Sequence, residues 1–197
     1  MASYLDQKQV TARVVTIGGA VNTVYLRSRP STHDVDFFLG NATSPQHNVI
    51  HEAARYANKQ TRGALGAEWF NNSTQLFMPP HVQQDLANAA FQQNVVIYNK
   101  VGRGGGLVVY GAPWSYALCG KFNRLCESSP RPYDLADAVV YLHEHLRRAG
   151  QQTVSVHLIC RWCQQYHKQV TNEVIQQVDE AYYRAYGHRP IDWRSQT

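Results

Sequence analysis

The chain has 197 residues, of which 44% are hydrophobic and 17% are charged, and its formal net charge is +5. This length and apolar content allow one ordinary domain, or a domain with a helical extension, and exclude an intrinsically disordered chain. The sequence contains no run of eighteen apolar residues and no signal-peptide pattern, so we expect a cytoplasmic, intracellular protein with no membrane partner. The positive charge is compatible with a partner that carries phosphate.

The first elements are two short strands separated by a helix. β-Branched and apolar residues at 12–17 predict a strand that ends in a tight turn at Gly18 and Gly19. Apolar residues at helical spacing predict a short helix over 20–28. Residues 34–39 favour a second strand because they are rich in Val and Phe.

The middle of the chain alternates between helices and strands. Apolar periodicity predicts an amphipathic helix over 46–65, a strand over 69–77 and a helix over 81–92. Two apolar strands are predicted at 94–100 and 106–110. A glycine-rich segment joins them and indicates a hairpin.

From Pro113 onward the pattern is helical. Gly150 and Gly187 lie where helix C-caps are expected. The four predicted helices are 113–126, 132–149, 153–169 and 171–186. The predicted fold class is therefore α+β, with a small mixed-sheet core at 1–112 and a helical region at 113–197 that packs on it.

The chemistry of the chain centres on Asp34-Val35-Asp36. Side chains alternate faces along a strand, so the two aspartates would point to the same side. Two neighbouring carboxylates are tolerable when they share a hard cation such as Mg²⁺, which binds one or two carboxylates together with substrate phosphates. Gly18 and Gly19 could expose backbone N–H groups to a phosphate. The alternative is a surface turn with two solvated aspartates.

These residues resemble a known superfamily. The order of an apolar strand, Gly-Gly, a short helix and Asp-apolar-Asp is similar to that of nucleotidyltransferases of the polymerase-β type. Lys121 and Arg124 in GKFNRL, followed by Asp134 in RPYDLADAVVYL, resemble the second half of the AbiEii and MenT type. The fragments THDVDFF, WFNN and APWSYALCGKFNRL resemble uncharacterised fungal proteins related to that group. The resemblance covers the run from Val14 to Leu142.

The resemblance implies a fold and a set of roles. Gly18 and Gly19 would hold the triphosphate of an NTP. Asp34 and Asp36 would bind Mg²⁺, or Mn²⁺ in its place, and Lys121 would contact a nucleotide phosphate.

Three further residues complete the predicted site. Asp134 would orient Lys121 or assist the acceptor, in preference to the nearby Asp137. Arg124 would contact the nucleotide, as would Asn22, for which polar helix surface is the alternative. The implied reaction is attack of an acceptor hydroxyl on the α-phosphate, with release of pyrophosphate. The acceptor could be tRNA, a protein side chain or a small molecule.

The sequence departs from the superfamily pattern in one respect. Many members carry a third carboxylate on a later strand, but 94–100 and 106–110 contain no Asp or Glu. Glu68 is the only acid near the predicted third strand. The chain could therefore be an active enzyme, a catalytically inactive binding protein of the same fold, or an interaction protein in which the motif arose by chance.

Overall fold

The computed structural model describes residues 1–40 and 44–194, apart from the side chains of Ser44, Pro45 and Phe77. The chain divides into two compact units, Met1–Pro113 and Trp114–Thr197. The predicted α+β class with a helical C-terminal half is confirmed, because a five-stranded mixed sheet occurs together with 53% helix. Among the described residues, no helix is both long enough and apolar enough to cross a membrane.

The first unit contains the sheet. Its elements are α1 (Ala2–Gln7), β1 (Thr11–Thr16), β2 (Val35–Phe38), α2 (Ser44–Gln60), β3 (Phe70–Asn71), α3 (Pro80–Gln93), β4 (Val96–Val101) and β5 (Gly106–Gly111). The strand order is β3-β2-β1-β5-β4. β1 is antiparallel to β2 and parallel to β5, and β2 is parallel to β3. β4 and β5 pair antiparallel, which confirms the predicted hairpin.

The main core of the first unit covers one face of this sheet. The buried residues that form it come from α1, α2 and alternate positions of the strands: Ala2, Leu5, Ala12, Val14, Phe37, Leu39, Ile50, Ala53, Ala54, Phe70, Leu107 and Val109. Since side chains alternate along β2, the face that carries Phe37 cannot also carry Asp36. Asp36 therefore lies on the sheet face opposite this core.

The glycine-rich loop between β4 and β5 is fastened to α1. The Asp6 carboxylate accepts hydrogen bonds from the backbone N–H groups of Gly104 and Gly105, at 2.7 and 2.9 Å. A Cβ atom at Gly105 would collide with the backbone of Val10. The hydrogen bonds to Asp6 and the close approach of the Val10 backbone thus explain why glycines occupy this loop.

Several sequence-based predictions need correction in the first unit. The strand predicted over 69–77 is wrong beyond Asn71, because the chain turns there into a 3-10 helix at Ser73–Phe77. The helix predicted over 20–28 is a π-helical segment at Val21–Tyr25. α1 was not predicted, and Asp34 was predicted inside the second strand, whereas β2 begins one residue later.

The second unit is mostly helical. It contains α4 (Trp114–Leu125), α5 (Asp134–Ala149), β6 (Val154–Ser155), α6 (Val156–Gln165), α7 (Asn172–Tyr186) and β7 (Ile191–Asp192). All four predicted helices are confirmed, although α6 is shorter than predicted. Gly150 and Gly187 adopt left-handed φ angles of 64° and 78°, which confirms both predicted C-caps. The short parallel pair of β6 and β7 was not predicted.

Candidate active site

The pairing of β1 with β2 brings the glycine turn and Asp36 to one edge of the sheet. The Thr16 hydroxyl donates a hydrogen bond to the Asp36 carbonyl oxygen at 2.8 Å, and the Ile17 N–H donates to the same oxygen at 3.3 Å. Gly18 follows directly after Ile17. The turn that begins at Gly18 is therefore adjacent to the strand position that carries Asp36.

Both glycines of this turn are required by the local structure. Gly18 has a φ of +69°, which disfavours residues with a side chain, and a Cβ atom there would meet no described atom within 4 Å. A Cβ atom at Gly19 would overlap the Thr32 hydroxyl. The space beside Gly18 is open, so another group can approach the backbone there.

The two aspartates differ in exposure. Asp34 is exposed and lies just before β2, and its carbonyl oxygen accepts a hydrogen bond from the Thr32 hydroxyl at 3.1 Å. Asp36 is partly buried within β2. In the described part of the chain, no three or more His, Cys, Asp or Glu side chains cluster in a way that could hold a metal ion. Any metal at this edge would need ligands besides these two carboxylates.

Asn71 is a neighbour of Asp36 that the sequence pattern did not reveal. It is the direct partner of Asp36 in the parallel pairing of β2 with β3, so the two side chains lie on the same face of the sheet. Its amide donates to the Glu68 carbonyl at 3.2 Å and accepts from the Ser73 N–H at 3.0 Å. The amide oxygen retains a second lone pair.

The sheet order places the later strands β4 and β5 away from β2. β5 is adjacent to β1 and β4 is on the far edge, so neither of them borders β2. The neighbour of β2 is the two-residue strand β3. The sequence feature that could have revealed Asn71 was the polar pair after two aromatic residues in WFNN.

Asn22 combines complete burial with an unsatisfied side chain. It has 0% exposure, and neither amide atom has a hydrogen-bond partner among the described residues. It lies in the π-helical segment, one turn after Gly18, whose carbonyl oxygen accepts its backbone N–H at 3.2 Å. Leaving a buried polar group unpaired costs about 1–3 kcal/mol. π-Helical turns occur frequently at functional sites.

A second cluster of predicted residues lies in the helical unit. The Lys121 ammonium on α4 is 2.7 Å from an Asp134 carboxylate oxygen and 2.6 Å from one of Asp137, both on α5. The two carboxylates are buried. Because an ammonium group has three N–H donors, this arrangement leaves at most one of them for a phosphate.

The protonation of Asp134 depends on this cluster. Burial alone would raise the pKa of Asp134, but the hydrogen bond and positive charge of Lys121 outweigh it, together with the Arg131 N–H that donates at 2.9 Å. The net result is a lowered pKa. Asp134 is therefore ionised at neutral pH and holds Lys121 by charge as well as by geometry.

Arg124 is arranged differently from Lys121. Its guanidinium contacts Glu127 at 3.3 Å, and both side chains are 45% exposed. An exposed ion pair of this kind contributes little stability, about 0–1 kcal/mol. The guanidinium could exchange this carboxylate for another anion at small cost.

The structure thus groups the predicted residues into two sets. Gly18, Gly19, Asp34 and Asp36 meet at one edge of the sheet in the first unit, and Lys121 meets Asp134 in the second unit. Comparison with protein-family models, with curated proteins and with solved structures found no match. The resemblance to nucleotidyltransferases therefore rests on the residues of this chain.

The unpaired amide of Asn22 leads to a prediction about stability. We expect Asn22→Leu, which keeps the number and branching of the side-chain heavy atoms and needs no partner, to raise the free energy of unfolding by about 1–3 kcal/mol. Thermal unfolding of the variant and the wild type would measure this difference. Asn99→Leu, at an exposed position of β4, is the control. A less stable Asn22→Leu variant would show that a buried water already satisfies the amide.

The lowered pKa of Asp134 predicts a pH dependence of stability. Ionised Asp134 stabilises the fold fully above its unfolded pKa of about 3.9 and progressively less as the pH falls through its lower folded pKa. We therefore expect Asp134→Asn to be less stable than the wild type at neutral pH, with a difference that shrinks in acid. Urea unfolding between about pH 7 and pH 3 measures it. Glu127→Gln removes the same charge from an exposed pair and should change little. A difference for Asp134→Asn that is constant with pH would contradict this account.

Proposed function

We propose that this chain is a metal-dependent nucleotidyltransferase that moves a nucleotide monophosphate from an NTP to an acceptor hydroxyl. The observation that carries the proposal is the strand register at one edge of the sheet. It puts Asp36 beside the end of β1, where the Gly18 turn begins, and beside Asn71 on β3. Carboxylate and amide oxygens thus lie next to an open backbone turn. This combination suits a triphosphate with a bound metal ion.

The donor set at this edge fits Mg²⁺. The ion is commonly bound by one or two carboxylates, several waters and the oxygens of substrate phosphates, so a cluster of three protein acids is not required. Asp34 and Asp36 would supply the carboxylates, and the Asn71 amide oxygen is next to Asp36. Mn²⁺ suits the same oxygen ligands. When bound, such an ion neutralises charge on the triphosphate and helps to align the displacement.

The residues of the chain would bind and orient the reactants. The open space beside Gly18 would admit the triphosphate against the backbone. The acceptor oxygen would form a bond to the α-phosphorus as the bond to the bridging oxygen breaks. Pyrophosphate would leave, and the hydroxyl proton would pass to a carboxylate of the site.

The residues of the second unit have supporting roles in this proposal. Within that unit, Asp134 and Asp137 hold the ammonium group of Lys121 in place and leave it one N–H donor for an anion. Asp134 is then a positioning residue. Arg124 would be able to bind an anion by giving up its exposed pairing with Glu127.

The proposal predicts that transfer depends on Asp36. Purified protein would be incubated with Mg²⁺ and α-labelled NTP, alone and with RNA or protein acceptors, and label transfer and pyrophosphate release would be followed. We expect Asp36→Asn to lower the rate at least about 10²-fold, since it removes charge from the metal site. Asp85→Asn, at an exposed position of α3, removes the same charge and should have no effect. Equal transfer by Asp36→Asn and wild type would refute the mechanism.

The alternative is a nucleotide-binding protein of the same fold that has lost catalysis, and Asn71 is the observation that favours it. This amide stands next to Asp36, on the strand where a third carboxylate would share the site. Calorimetry that detects NTP binding by the wild type without pyrophosphate release would favour the alternative. Release that appears only in Asn71→Asp would trace the lost activity to this residue.

A further inference from the structure

A polar pocket lies in the first unit, between α2 and the segment that leads into β3. Its volume is about 320 Å³, and His51, Arg55, Asn58 and Lys59 of α2 line one side. Glu68, just before β3, lies on the other side. The pocket is thus lined by more basic than acidic side chains.

Among the described residues, the cations of this pocket have no anionic partner. Arg55 and Lys59 are exposed, and neither forms an ion pair or a hydrogen bond with its side chain in the part of the chain that the structure describes. Glu68 forms no ion pair with them. By contrast, Arg147 and Arg189 of the second unit are paired with carboxylates. Like charges one helical turn apart destabilise a helix. An anionic ligand would compensate for this repulsion.

The basic side chains of the pocket form a row along α2. His51, Arg55 and Lys59 are spaced four residues apart, which keeps them on one side of the helix and spreads them over about 12 Å. Glu52, the acid within this stretch, is occupied elsewhere, because it accepts a hydrogen bond from the Tyr4 hydroxyl at 3.0 Å. Two positive groups one helical turn apart, in line with an imidazole, match a ligand with repeated negative charges better than they match a single anion.

The pocket is structurally connected to the candidate active site. The carbonyl oxygen of Glu68, in the pocket wall, accepts the hydrogen bond from the amide of Asn71, and Asn71 pairs with Asp36. The wall of the pocket therefore leads directly into the edge strand beside the aspartates. Because α2 covers the sheet face opposite Asp36, a chain-like ligand held by α2 would have to pass around the edge strand β3 to reach the aspartates.

We propose that this pocket binds the phosphodiester backbone of a single-stranded nucleic acid. The inference extends the proposed function by making a polynucleotide the acceptor, and in that respect it rests on that function. The binding itself needs neither NTP nor metal. It can therefore be tested even if nucleotidyl transfer is absent.

The experiment measures the anisotropy of a fluorescein-labelled single-stranded RNA with the full chain, over a range of NaCl concentrations, in EDTA and without NTP. The test variant is Arg55→Ala/Lys59→Ala. The control, Lys100→Ala/Arg103→Ala, removes the same charge from exposed positions on the β4–β5 hairpin. Losing two phosphate contacts should reduce the slope of log K against log [NaCl] by about 1.4. It should also weaken RNA binding about 25-fold at about 0.1 M NaCl. DNA of the same sequence should lose as much, since it carries the same phosphates.

Four results would overturn the proposal. The test variant could bind RNA as tightly as the wild type. The control could lose as much affinity as the test variant, which would indicate a nonspecific effect of net charge. RNA binding alone could fall while DNA binding stays unchanged. Finally, calorimetry could show that the test variant loses inorganic pyrophosphate but keeps RNA, which would identify a site for a small anion. None of these results bears on the Asp36-dependent transfer of label, so failure of this inference is distinguishable from failure of the proposed function.

Discussion

The register between β1 and β2 decides on which face of the sheet Asp36 lies. Val15 pairs with Phe38 and Thr16 with Phe37, and the Thr16 hydroxyl fastens the end of the pairing by its bond to the Asp36 carbonyl. A slip of one residue would exchange Phe37 and Asp36 between the two faces. Phe37 is fully buried in the core with Phe70 stacked on it at 4.4 Å, so the apolar packing holds the register against such a slip. The position of the proposed metal ligand is thus fixed by hydrophobic burial on the other side of the sheet.

Much of this arrangement was predictable because it depends on local pattern. Alternating and apolar runs indicated β1, β2, β4 and β5, and Gly150 and Gly187 indicated two helix ends. α1 was not predictable, because its six residues have no side-chain cap and it is held by burial of Leu5 and by the bonds of Asp6 to a loop far along the chain. The end of β3 depends on the Asn71 side chain, which captures the Ser73 N–H and turns the backbone.

The candidate site was predictable only in part, because only some of its residues lie close together in the sequence. Gly18, Gly19, Asp34 and Asp36 lie within one continuous stretch of chain, so a sequence pattern can reveal their spacing. Asn71 becomes a neighbour of Asp36 only through a parallel pairing across more than thirty residues. The unpaired state of the Asn22 amide also depends on what surrounds it in three dimensions.

The cluster of Lys121, Asp134 and Asp137 has a structural explanation as well as a functional one. Two buried carboxylates around one ammonium hold α4 against α5, and removing one partner of a buried pair costs about 3–5 kcal/mol. A loss of activity on mutation of Lys121 would therefore not by itself establish contact with a nucleotide. Stability and transfer have to be measured on the same variants, and only a loss of transfer in a folded variant would support a role in the reaction.

The central claim is that Asp34 and Asp36 share a metal ion with a nucleotide bound at the Gly18 turn. A crystal structure with Mg²⁺ and a non-hydrolysable NTP tests it most directly. The account predicts one ion with carboxylate oxygens of both aspartates at about 2.0–2.1 Å and with triphosphate oxygens completing its coordination. A nucleotide bound elsewhere, or bound at the turn with no metal on either aspartate, would contradict it.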